Sequence, residues 1–167
     1  MRIRNHTNCI RRALRRGIVC AGLIVSSAVF VSSAALAGEC PADKVKANAM
    51  KPVTTPGSGY TDTVLGTVDL SKESIKAKDR VLRIRRLVFQ PGSIVPWHSH
   101  DNRPALLLMV EGEMVEYRNT CMVPILHKAG EVAREVRGTS HWWKNESGKV
   151  AVMIASDILH DKQDKNM

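Results

Sequence analysis

Beyond residue 60 the chain is written in short apolar runs separated by turn residues. The runs are TVLGTVDL (63–70), RVLRIRRLVF (80–89), SIVPWHSH (93–100), ALLLMVEGEMVEY (105–117), MVPIL (122–126), VAREV (132–136), SHWWKN (140–145) and VAVMIAS (150–156). Pro91-Gly92, Arg118-Asn119, Ala129-Gly130, Arg137-Gly138 and Ser147-Gly148 punctuate them. Runs this short, rich in Val, Ile, Leu and Met, predict eight strands and an all-β sandwich or barrel. Only Leu70–Asp79 could compete as a helix, and it is too polar to form core. Residues 38–60, rich in Pro, Gly, Thr and Lys without a period, predict an extended arm. The barrel domain is expected over 61–158 and a polar tail over 159–167, with the end from Asp157 frayed.

Residues 1–37 are of another kind. Arginines without any acid precede an apolar stretch of small residues that ends in Ala-Leu-Ala before Gly38. That is the pattern of a cleavable signal peptide. The apolar run is long enough to rival it as a membrane span, but its serines and the Ala35, Ala37 pair favour cleavage. The expectation is an exported protein, periplasmic or secreted, with no stable membrane anchor. The arginine pairs Arg11-Arg12 and Arg15-Arg16 hint at a twin-arginine route, with ordinary secretion the default.

Removing the leader changes the charge. Six of the 25 basic residues lie in it, leaving 19 against 16 acids. A surplus of +3 is no footprint for nucleic acid. The cysteines that remain are Cys40 and Cys121. In an oxidising compartment two cysteines invite a disulfide, and the alternative is a pair of free thiols.

The candidate chemistry is histidine. Residues i and i+2 of a strand share a face, so His98 and His100 present both imidazoles together, opposite Trp97 and Ser99. His141, in another predicted strand, is a third candidate. Three imidazoles meeting in a barrel would suit a divalent ion such as iron, zinc, manganese, nickel or copper.

At these residues the chain resembles the cupins. Gly92, His98, His100, Ala105 and Gly112 fall at the spacing of that family's first motif, and Gly130, Val136, Gly138, His141 and Asn145 at that of its second. Ala105 stands where the family has Glu, and Val136 where it has Pro. The resemblance implies a double-stranded β-helix, or jelly-roll, barrel, often a homodimer, with the motif histidines holding a metal. It also implies an incomplete ligand set. Glu111 is about 20 Å further along an extended strand and out of reach, which leaves Asp101 as the one substitute acid. Some cupins, among them thiol dioxygenases and a diketone-cleaving dioxygenase, use three-histidine iron.

Other residues read more plainly. Leu107 and Met109 share the parity of Ala105, and Trp143 that of His141; Ala105, Leu107, Met109 and Trp143 are expected to line the pocket. Trp97 and Trp142 are expected outside the barrel or at a subunit contact. Arg83 and Arg85 form a solvated strand face or meet an anionic ligand at the barrel mouth, and His127 and His160 read as surface groups. Two functions follow: metal-dependent oxidation of a small molecule, for which iron is the expected metal, or retention of a metal or small ligand without turnover.

Overall fold

The computed structural model describes residues 38–160, so the expectations for residues 1–37 and for 161–167 lie outside the described residues. Eight strands form one antiparallel sheet: β1 (Ser58–Asp69), β2 (Arg80–Ser99), β3 (Ala105–Glu111), β4 (Glu113–Arg118), β5 (Ile125–Lys128), β6 (Val132–Glu135), β7 (Ser140–Lys144) and β8 (Ala151–His160). Their order is β5-β4-β7-β2-β8-β3-β6, with β1 on β2. The two ends of that order, β5 and β6, are joined by the short turn 129–131, which curls the sheet into a nearly closed barrel.

The strand count matches the expectation through two compensating differences. The runs 80–89 and 93–100 are one strand, because Pro91-Gly92 bends β2 without ending it. Gly92 has φ +78°, and its N–H donates to the Asn145 carbonyl at 2.9 Å. The buried Asn145 amide donates to the carbonyls of Phe89, Gln90 and Lys149, so this motif residue pins the bend. Conversely, ALLLMVEGEMVEY is broken at Gly112 (φ +69°), where a Cβ would stand 2.7 Å from the Val150 carbonyl. Only glycine fits there without moving the backbone.

Alternation decides what faces inward. Ala105, Leu107 and Met109 of β3 are buried while Leu106, Leu108 and Val110 are exposed. On β2 the odd residues Arg85, Leu87, Phe89, Ser93 and Val95 face inward, then a register shift between Val95 and His98 switches the inward set to His98 and His100. Such a bulge re-aims side chains; without it both imidazoles would leave the barrel. Phe89, Leu107, Met114, Trp143 and Met153 join the core cluster beneath them.

Leu70–Asp79 forms turns and no helix. The arm is tied down: Cys40 and Cys121 form a disulfide with Cα atoms 5.8 Å apart. Val45 bridges Cys121, and Lys46 N–H donates to the Thr120 carbonyl at 3.0 Å. A loop of 81 residues closed in this way limits the unfolded chain by about 4 kcal/mol on the chain-entropy argument. At the other end, Asp157–His160 is not frayed. It completes β8 and pairs with Arg80–Arg83, because Asp157 is needed inside as the partner of Arg83, Arg85 and Arg103.

Candidate metal centre

His98 arrives from the end of β2, His100 from the residue just past it, His141 from β7 and Glu135 from the last position of β6. His98 and His141 are cross-strand partners, and Glu135 is the partner of Ala105. All four are buried, with one donor atom from each lying within 4.8 Å of the others. His141 Nε2 is 3.2 Å from His98 Nε2 and 3.1 Å from Glu135 Oε1, and His100 Nε2 is 2.9 Å from Glu135 Oε2.

The outer ring nitrogens fix the protonation of the inner ones. His98 Nδ1 donates to the Pro96 carbonyl at 2.8 Å, His100 Nδ1 to the Arg103 carbonyl at 2.7 Å, and His141 Nδ1 to Glu116. Each acceptor can only accept, so each Nδ1 carries the proton and each Nε2 turns a lone pair inward. Burial first, then the proximity of the His141 imidazole, pushes His98 down to about 3, so its ring is neutral at ordinary pH. Glu135 is also held below the usual carboxylate range: burial would raise it, but the adjoining imidazoles of His141 and His100 outweigh that. Three lone pairs and a carboxylate thus converge, while His100 Nε2 and Glu135 Oε1 make no hydrogen bond. Apposed acceptors repel, and a cation among them removes the repulsion. The residues fit a metal ion.

Behind His141 lies a second buried layer. Glu116 is fully buried and accepts from His141 Nδ1, from His127 Nε2 at 2.9 Å, and from Arg118 Nε and Nη2 at 2.7 and 2.9 Å. Burial alone would raise it; the bonds from His127 and His141 and the Arg118 charge hold it well below the usual range. A carboxylate behind a ligating imidazole orients the ring and raises its basicity. His127 is therefore no surface group: it is buried against Trp143, ring centroids 4.6 Å apart. His160 is exposed.

A cavity of about 20 Å³ adjoins the donors, with Leu87, Phe89, Leu107, Trp143 and Met153 among its walls. A water needs about 10–15 Å³ on this measure, so there is room for one or two small groups. Leu107 and Trp143 lie on this wall, whereas Ala105 and Met109 face the barrel interior beside it. Arg85 reaches the cavity as well, but it pairs with Asp62 and Asp157, and Arg83 holds Asp157 at 3.0 and 2.7 Å. Both arginines are held by carboxylates within the sheet, Asp157 being shared with the buried Arg103 at 3.5 Å, so neither forms a solvated strand face. Trp142 does lie outside, stacked on Tyr117 at 4.1 Å, and Trp97 is half-buried.

Asp101 does not join the donors. Its carboxylate accepts the Gly138 N–H at 2.8 Å and braces the turn before His141. The acid that sequence reasoning missed is Glu135. Its signal was parity: in VAREV it shares a face with buried Ala133, opposite exposed Arg134. Glu116 shows the same sign, sharing the inward face of Met114.

The family model described as a cupin domain matches residues 85–157. No curated protein matches the chain. Among solved structures, the chain is similar to a cupin domain from Bordetella pertussis Tohama I, at 19% identity and TM-score 0.46 over 63% of this chain and 98% of that one. It is similar also to KdgF from Halomonas sp., at 13% and 0.48 over 64% and 83%. A third is oxalate oxidase in complex with the substrate analogue glycolate, at 20% and 0.47 over 73% of this chain and 62% of that one.

Proposed function

We propose that the chain, whose residues 85–157 match the cupin-domain model, is an exported member of the cupin superfamily holding one divalent transition-metal ion on His98, His100, His141 and Glu135. One observation carries this reading: three unprotonated imidazole nitrogens and a carboxylate converge in a buried space without protons to separate them. Three nitrogens and one oxygen suit iron, manganese, zinc, nickel or copper. The Cys40–Cys121 bridge supports an oxidising compartment.

A bound ion of this kind supplies Lewis acidity and, for iron, manganese or copper, redox chemistry. The chain's own residues do the rest. Glu116 fixes the His141 tautomer, the Pro96 and Arg103 carbonyls fix the other two rings, and Leu87, Phe89, Leu107 and Met153 exclude water from the open side. The catalytic form of this reading is oxidation of a small molecule at iron, supported by the apolar cavity beside the donors. Retention of metal without turnover is supported by that cavity's size.

The test is elemental analysis of the purified protein, followed by oxygen uptake after iron loading with thiol, diketone and phenolic probes. One equivalent of transition metal is expected. A protein that takes up none of the five metals would overturn the proposal, and metal without oxygen uptake would select the non-catalytic form.

A further inference from the structure

We infer that the N-terminal arm is part of the metal site: the Cys40–Cys121 bond holds Glu39 against Arg118, and that contact governs how firmly His141 keeps its ion. The inference rests on the metal-binding reading above and adds a control to it.

Cys121 lies on the turn that ends β4, where its N–H donates to the Arg118 carbonyl at 3.1 Å. Its sulfur holds Cys40, and the preceding residue, Glu39, places its carboxylate 3.5 Å from Arg118 and 2.9 Å from Arg134. Arg118 grips both oxygens of Glu116, and Glu116 accepts the Nδ1 proton of His141. Direct contacts therefore run from the disulfide through Glu39, Arg118 and Glu116 to a donor ring. The arm past Cys40 is held separately, by hydrogen bonds from Ala49 to Asn119 and from Met122 to Lys44. The disulfide thus anchors the Gly38–Glu39 end, where a Cβ on Gly38 would come within 2.7 Å of His127 Nδ1.

Electrostatics gives the direction. Arg118 is shared between two carboxylates. While Glu39 holds part of its charge, Glu116 stays electron-rich toward His141, and a more basic imidazole binds metal more firmly. A dithiol reductant delivers two electrons and two protons to the Cys40–Cys121 bond, giving two thiols while its own sulfurs join. Glu39 is then released, Arg118 turns wholly to Glu116, and His141 becomes a weaker donor.

The experiment loads the purified protein with cobalt(II) and follows its release to excess chelator. Oxidised protein is compared with protein reduced and then freed of reductant under argon. The reduced form is expected to release cobalt about tenfold faster, at the lower end of effects seen for outer partners of metal ligands. Glu39→Gln with the disulfide intact should accelerate release similarly, shift the visible cobalt absorption band as reduction does, and leave the far-ultraviolet circular dichroism unchanged. Reduction should then add little in that variant. Equal release from oxidised and reduced wild type overturns the inference, as does an undiminished effect of reduction in Glu39→Gln. Failure of the oxidised wild type to take up cobalt removes the metal-binding reading itself, and this inference with it.

Discussion

Ala105 and Glu135 face one another across the β3–β6 pair, so the carboxylate absent from one position is supplied by its cross-strand partner. Directly opposed residues in an antiparallel pair have Cβ atoms about 4.5–5.5 Å apart. Either position can therefore deliver an acid to the same space.

The exchange is testable. Glu135→Ala should lower metal affinity at least about tenfold, since it removes the one charged donor and leaves three neutral rings. Ala105→Glu in that background should restore most of the loss. Cobalt titration followed by visible absorption measures both; a double variant no better than Glu135→Ala would show that the two positions are not equivalent.

The histidines and Asp101 separate in a similar way. His98→Ala, His100→Ala and His141→Ala should each cost most of the bound metal, because each removes an inward lone pair. Asp101→Ala should keep its metal, since that carboxylate serves the Gly138 N–H. Metal content by elemental analysis of the four purified variants decides it.

What the sequence made legible was whatever depends on local spacing. The parity of His98 and His100 and the glycines at fixed intervals could be read because each is a property of neighbouring residues. Glu135, Glu116 and His127 could not be assigned, because their roles depend on which strands become neighbours. Nothing in VAREV reveals that Glu135 will face Ala105, which lies thirty residues earlier in the chain. The bulge at Pro96–Trp97 was likewise hidden: the spacing of His98 and His100 shows that they share a face, and the register shift determines which face that is. Asp157 reads as the start of a frayed end until its partners Arg83 and Arg85 are known.

Glu116→Gln keeps the shape of the layer behind His141 and removes its charge. Metal affinity should fall about 10–100-fold. Stability should fall as well, by about 3 kcal/mol, since the buried Arg118 loses its main counter-charge. Isothermal titration and urea denaturation report the two effects separately. Unchanged affinity with lowered stability would confine Glu116 to a structural role.

The metal-free protein should weaken in acid, and the sign follows from proton counts. His98 titrates near 6.5 in the unfolded chain and at about 3 when folded, so between those values the unfolded state binds the extra proton. Glu116 and Glu135 lie below their ordinary 4.5 when folded, so they add to the same trend below that pH. Stability from these groups is whole above about pH 6.5 and falls from there, each proton contributing a slope of about 1.4 kcal/mol per pH unit. Urea midpoints at pH 7, 5.5 and 4 should drop in that order, and His98→Ala should flatten the upper part of the curve.

We propose that the outer face of the sheet is the contact of a homodimer. Leu82 and Ile84 of β2 and Leu106 and Leu108 of β3 are 38%, 42%, 55% and 41% exposed. They flank β8, where Ser156 pairs with both Ile84 and Leu106, and Ile154 with Leu108. Apolar side chains clustered on a sheet face mark a contact surface. A second copy would cover them without touching the metal donors, which point the other way. Sedimentation should give twice the chain mass for the wild type. Leu106→Glu should give a monomer with unchanged metal content, since the substituted side chain faces outward. A monomeric wild type at tens of micromolar would leave that face to another partner.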